Sequence, residues 1–199
     1  MQLYPDGREH TVLPIGEHAQ LWRGKSSPAA LASAPHAMPI TEPEVKAAME
    51  RWGSLLVEAC ASSAKSGAGA VAEQFVDRLY GFDVGSVSFK PTSAVATATG
   101  ADGKVSPEDL MQDLKTTREQ VVAYFVDIVA KPLTAFRVVG AHVTLLGPAA
   151  SVMAVVAMTI GGRESGAEVS FVYSRAASGD LKIRLHHQSF AYRGGNPYK

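Results

Sequence analysis

Cysteine is almost missing from this chain: Cys60 is the only one in 199 residues. A single cysteine excludes an intrachain disulfide framework and any cysteine-based zinc cage. Its position on the apolar face of an expected helix makes it a small core residue. Net charge is missing too, since 19 Lys+Arg stand against 19 Asp+Glu. That balance removes the overall field on which charge-driven binding to nucleic acid or to a membrane surface depends. No apolar run is long enough to span a bilayer; Ala149 to Ile160 is strand-sized and sits between glycines. The first residues carry Asp6, Glu9 and Glu17 and no apolar segment of the kind that forms a secretory signal. Neither an internal repeat nor a coiled-coil pattern occurs. What remains is a soluble protein with no nucleic-acid role and no transmembrane segment, large enough for one well-packed domain plus some extra chain.

The extra chain comes first. Residues 1–39 have no sustained period and contain Pro5, Pro14, Pro28, Pro35 and Pro39 among small residues, so they read as an irregular arm. Its Ala/Ser/Pro portion from Ser26 to Ala37 suits either a remnant of organelle targeting or a segment that docks on a partner. The ordered domain is expected over 40–193, with a short tail at 194–199. Thr41-Glu42-Pro43-Glu44 has capping-box spacing with proline in the first turn, and Val45, Met49, Trp52, Leu56 and Cys60 follow at helical spacing. Ser66-Gly67-Ala68-Gly69 interrupts this helix, and a second one runs to Tyr80-Gly81 with Val71, Phe75, Val76 and Leu79 on one side. A short strand surrounds Val87-Ser88-Phe89, and a polar insertion occupies about 96–115. A third helix, capped through Thr116 and Glu119, carries Val121, Val122, Phe125, Ile128 and Val129 and closes before Pro132.

Beyond Pro132 the period switches to two. Four strands are expected at Phe136–Leu146, Ser151–Ile160, Ala167–Ser174 and Leu181–Ala191, separated by Gly147-Pro148, Gly161-Gly162 and Ser178-Gly179-Asp180. Helices followed by an antiparallel meander define an α+β domain with its helices on one face of a curved sheet, and its pocket between them. On the last strand, strict alternation gives Leu181, Ile183 and Leu185 one face and carries His187 and Ser189 onto it. Lys182, Arg184, His186 and Gln188 then take the other. An apolar face ending in an imidazole and a hydroxyl describes either a cavity wall equipped for chemistry or a core edge with its histidine satisfied by a neighbour. His186 and His187 point to opposite faces and make poor joint metal ligands.

Several short runs carry a family resemblance. They are Pro39-Ile40-Thr41-Glu42, Trp52-Gly53, Leu79-Tyr80-Gly81-Phe82, Phe89-Lys90-Pro91-Thr92, Ala123-Tyr124-Phe125 and Leu181 to His187. Together they resemble the iota-class carbonic anhydrases of algae and bacteria, within the NTF2-like (cystatin-like) superfamily that includes the association domain of calmodulin-dependent kinase II. The resemblance covers roughly Pro39 to Tyr192. It implies a cone of three helices on a curved, mostly antiparallel sheet, and reversible hydration of CO2 to bicarbonate without a metal. Family members read FKPT, SYF and HHSS where this chain has Phe89–Thr92, Ala123–Phe125 and His186-His187-Gln188-Ser189. The resemblance therefore implies Thr92, Tyr124, His187 and Ser189 as catalytic residues, with Thr92, Tyr124 and Ser189 also holding substrate. Gln188 replaces the first serine of the final motif and, by alternation, points away from the other two.

The chemistry these groups offer is coherent. Attack of water on CO2 needs a proton acceptor, for which an imidazole serves, and hydroxyl donors for the developing bicarbonate oxygens. Two other readings stand beside it. One is a non-catalytic accessory subunit of a larger assembly, organellar (plastid or mitochondrion) or cytoplasmic, which keeps the cone and a dimer-forming sheet face with residues such as Val155 or Val169. The other is a small-molecule binder or isomerase in which Tyr124 acts as oxyanion donor and Asp83 or Asp127 as base.

Overall fold

The computed structural model describes residues 38–91 and 113–189, which fall within a compact unit beginning at Met38. Thr92, the tail at 194–199, most of the arm and most of the 96–115 insertion lie outside the described residues. Helix α1 spans Glu42–Ser66. Its first turn is held by Glu44, whose carboxylate accepts hydrogen bonds from the Thr41 N–H at 2.9 Å and the Thr41 hydroxyl at 2.8 Å. Arg175 reinforces this entry by donating to the carbonyls of Met38 and Pro39 and to the Glu44 carboxylate. Gly67, at φ 83°, ends α1 and turns directly into α2, Ala68–Leu79; only a residue without Cβ takes that φ readily. The short strand β1 is Ser88–Lys90.

Helix α3 runs from Arg118 to Val129, and its capping box uses Thr117 and Gln120, one residue later than Thr116 and Glu119. Either threonine has a suitable partner three residues on, and it is packing of Val121, Phe125 and Val129 that fixes the start. Arg118 makes a bidentate pair with Asp77 of α2, at 2.6 and 2.8 Å, joining the two helices.

Four strands follow, β2 Leu133–Leu146, β3 Ala149–Ile160, β4 Arg163–Arg175 and β5 Leu181–Ser189. They pair antiparallel in sequence order, and β1 adds parallel to β5 to give the order β1-β5-β4-β3-β2. The inner sheet face is covered by the helices and is aliphatic and aromatic, with Val152, Val156, Val169, Phe171, Tyr173 and Ile183 all buried. Val169 therefore belongs to the core, whereas Val155 is 46% exposed on the outer face. No helix among the described residues is long and apolar enough to cross a membrane.

Three bulges interrupt the alternation; at the start of β2, Thr134 is extra between the pairs Leu133/Ile160 and Ala135/Thr159. Val139 is extra in β2, between the pairs Val138/Val156 and Gly140/Val155. Arg184 is extra in β5, where Val172 pairs with Leu185 but the next residue, Tyr173, pairs with Ile183. A bulge inserts one residue on one strand and thereby reverses which face every later residue takes. That reversal decides where the histidines go.

Candidate active site

Past the bulge, His186 follows Ile183 inward, and Gln188 does the same. His187 and Ser189 turn outward. This corrects the strict-alternation expectation: of the implied catalytic residues Thr92, Tyr124, His187 and Ser189, the two on β5, His187 and Ser189, do not share a pocket with Tyr124. His187 and Ser189 line a shallow groove on the outer sheet face together with His142 and Met153, and the Ser189 hydroxyl donates to the Glu168 carboxylate at 3.3 Å. Thr92 lies outside the described residues. Of the three described, Tyr124 reaches the interior cavity.

His186 is a buried polar side chain within the core, 1% exposed. It pairs across β1 with Phe89 and across β4 with Phe171, and its ring lies 4.7 and 4.5 Å from theirs. Trp52 meets it edge-on at 5.3 Å, and the Tyr80 hydroxyl shares a 2.8 Å hydrogen bond with its Nδ1. Burial, helped by the charge of His187, pulls the imidazole pKa down to about 3, so His186 is neutral at physiological pH. Burial likewise pushes the Tyr80 phenol well up. The pair is thus a neutral hydrogen-bonded dyad, unsuited to proton transfer with solvent. The runs Trp52-Gly53, Tyr80, Phe89, Phe125 and His186, scattered through the sequence, meet in this one cluster.

Beside the cluster, between α1, α3 and the sheet end where β2 begins and β3 finishes, lies a cavity of about 350 Å³. Its wall is mostly apolar, with Trp52, Leu56, Phe125, Ile128, Leu133, Met158 and Ile160. The polar groups are Tyr124, Ser165 and Gln188, with Asp127 and Lys131 also lining it from α3 and its C-terminal end. Burial pushes the Tyr124 hydroxyl up to about 12, so it keeps its proton and serves as a donor. The Trp52 indole N–H and His186 Nε2 are buried without a hydrogen-bond partner among the described residues. Gln188, which alternation sets on the face opposite His187 and Ser189, is the residue of its motif that lines the cavity; Asp127 joins it from α3 as helical spacing allows, while Ser165 and Lys131 complete a wall that local spacing does not reveal. Among the described residues no group of three or more His, Cys, Asp or Glu could hold a metal ion.

Helices closing one face of a five-stranded sheet over an apolar cavity with a polar corner define an NTF2-like domain. A nuclear transport factor 2-like superfamily protein from Salmonella enterica shares this fold, with TM-score 0.53, 12% identity, and coverage of 79% of this chain and 95% of its own. The match to the metal-independent carbonic anhydrase family extends over residues 43–190, and the chain belongs to that family. A metal-independent carbonic anhydrase from Nostoc sp. is 32% identical over 167 residues, covering 77% of this chain and 75% of the relative. The crystal structure of a cyanobacterial iota-carbonic anhydrase complexed with bicarbonate superposes with TM-score 0.65 at 27% identity, over 82% of this chain and all of that one.

Proposed function

We propose that this chain catalyses the reversible hydration of CO2 to bicarbonate in the cavity between α1, α3 and the sheet, without a metal. The observation that carries the reading is a neutral hydroxyl and an amide, Tyr124 and Gln188, on an otherwise apolar wall in a member of this family. CO2 is apolar and partitions into such a wall. As water oxygen bonds to its carbon, one C=O electron pair moves onto oxygen. Donors already aimed at that oxygen stabilise it most where water is excluded. Tyr124 and the Gln188 amide are those donors. The attacking water releases one proton, which the Asp127 carboxylate accepts and passes to solvent, leaving bicarbonate. Thr92 is included through the family resemblance, as a further hydroxyl.

The test is oxygen-isotope exchange between CO2 and water in the presence of chelator. Exchange above the buffer rate is expected, falling at least tenfold in Tyr124→Phe and in Gln188→Ala and also in Thr92→Ala. His187→Ala and Ser189→Ala, whose side chains lie on the other sheet face, are expected to match the parent. Loss of exchange in those two with Tyr124→Phe unaffected would remove this site. The second reading, an accessory subunit, is favoured by the amide that stands where the family has a serine. A folded chain with no exchange would favour it over the anhydrase. We also propose that the outer sheet face joins two copies of the chain, because Val139, Met153, Val155 and Leu185 are exposed on it.

A further inference from the structure

Bicarbonate would leave most of the cavity empty. It has four heavy atoms, and a water-sized molecule takes about 30 Å³ of liquid volume. The cavity offers about 350 Å³, within the roughly 300–1,000 Å³ range of sites that enclose organic ligands. Its lining is mostly apolar. Seven apolar side chains line it, with Leu56 of α1 and Ile160 of β3 among them, while Tyr124, Gln188 and Ser165 provide hydrogen-bonding groups. Lys131 lines the same cavity and makes no ion pair among the described residues. Asp127, also on the wall, disfavours a second negative charge.

A carboxylate is a bicarbonate whose hydroxyl has been exchanged for carbon. Both present a planar O–C–O anion with the third substituent pointing away. Held by the same donors, a carboxylate would direct its carbon substituent into space lined by Trp52, Leu133, Met158 and Ile160. We propose that this cavity is a binding site for apolar monocarboxylates of several carbons, which occupy it in competition with bicarbonate. The placement of the head group rests on the anhydrase reading; the apolar tail site rests on the shape and lining of the cavity.

The experiment is calorimetric titration of the full chain with straight-chain carboxylates from acetate to octanoate, and with the matching primary alcohols. The same acids are added to the isotope-exchange assay. Each buried methylene is expected to raise affinity about three- to fourfold until the cavity is full, after which the series flattens. The alcohols are expected at least tenfold weaker than the acids, and Ile160→Phe or Met158→Phe to flatten the series several carbons earlier. If exchange proceeds but affinity does not rise with chain length, or rises equally in Ile160→Phe and Met158→Phe, the carboxylate site is overturned while the anhydrase stands. Length-dependent binding that both substitutions truncate, in a chain with no exchange, upholds the site and removes the anhydrase reading. Neither binding nor exchange removes both.

Discussion

His186 is held by contacts on every side, and the price of that environment is its charge. Its folded pKa of about 3 lies below the ordinary 6.5 because burial penalises the imidazolium. Between those values the unfolded chain binds a proton that the folded chain refuses, so stability falls as pH falls through this window. Above 6.5 both states are neutral and the residue gives no pH dependence. The slope within the window is about 1.4 kcal/mol per pH unit, so taking the chain from pH 6.5 to 5 costs about 2 kcal/mol from this residue alone. Urea unfolding at the two pH values measures it. His186→Phe keeps an aromatic ring among Phe89, Phe171 and Trp52, and is expected to abolish that part of the slope whatever it does to stability at pH 7. Tyr80→Phe acts differently. It leaves Nδ1 of His186 buried and unpartnered, and is expected to destabilise by about 1–3 kcal/mol at neutral pH. An unchanged unfolding midpoint in that variant would mean the dyad contributes nothing.

At the level of elements, helix α1 reaches the sheet through Gly53. A Cβ built there would fall 1.8 Å from Cδ1 of Phe136 on β2, so the helix backbone lies directly on that ring. Gly53→Ala sets two effects against each other. Alanine improves helix propensity by about 1 kcal/mol, but the overpacked contact costs about 1–3 kcal/mol. The contact wins here because Phe136 is flanked by Trp52, 5.6 Å away, which limits its escape. The variant is expected to melt below the parent; a higher melting temperature would show that Phe136 moves freely. This close approach explains the Trp52-Gly53 pair, one of several short runs legible in the sequence that prove to be a single aromatic cluster in space. The helices and strands were equally legible, because their apolar stripes are long and their turns are marked by Gly67, Gly147 and Gly161-Gly162. The phase of β5 was not. Leu181, Ile183 and Leu185 alternate cleanly, and after them His186-His187-Gln188 offers no apolar marker to show that the faces have exchanged. The bulge at Arg184 becomes visible only through its partners: Val172 and Tyr173 on β4 fix the shift, and Phe89 on β1 confirms that His186 faces inward. Asp127 could be placed near Tyr124 from helical spacing, but Ser165 reaches the same cavity from a different strand, and no local period reports that.

For the whole molecule, the two sheet faces are treated unequally. The inner face is sealed by three helices. The outer face has no covering element among the described residues, yet Met153 is 66% and Val139 56% exposed there. Cross-strand pairing brings Met153 opposite His142 and Val155 opposite Gly140, while Leu185 stands opposite Val172. Exposed apolar side chains gathered on one uncovered sheet face mark an association surface. A twofold axis through one patch pairs it with itself, so each side chain is buried twice per dimer and a single substitution acts twice. Met153→Lys therefore places two charges into the proposed contact, while in the monomer it only exchanges one exposed side chain for another. The parent chain is expected to elute and scatter as a dimer at micromolar concentration, and Met153→Lys as a monomer with unchanged circular dichroism. Because the cavity opens between helices and the sheet end, away from this face, the monomeric variant should retain its isotope exchange. A parent that is monomeric at tens of micromolar would leave the outer face without a second copy to cover it.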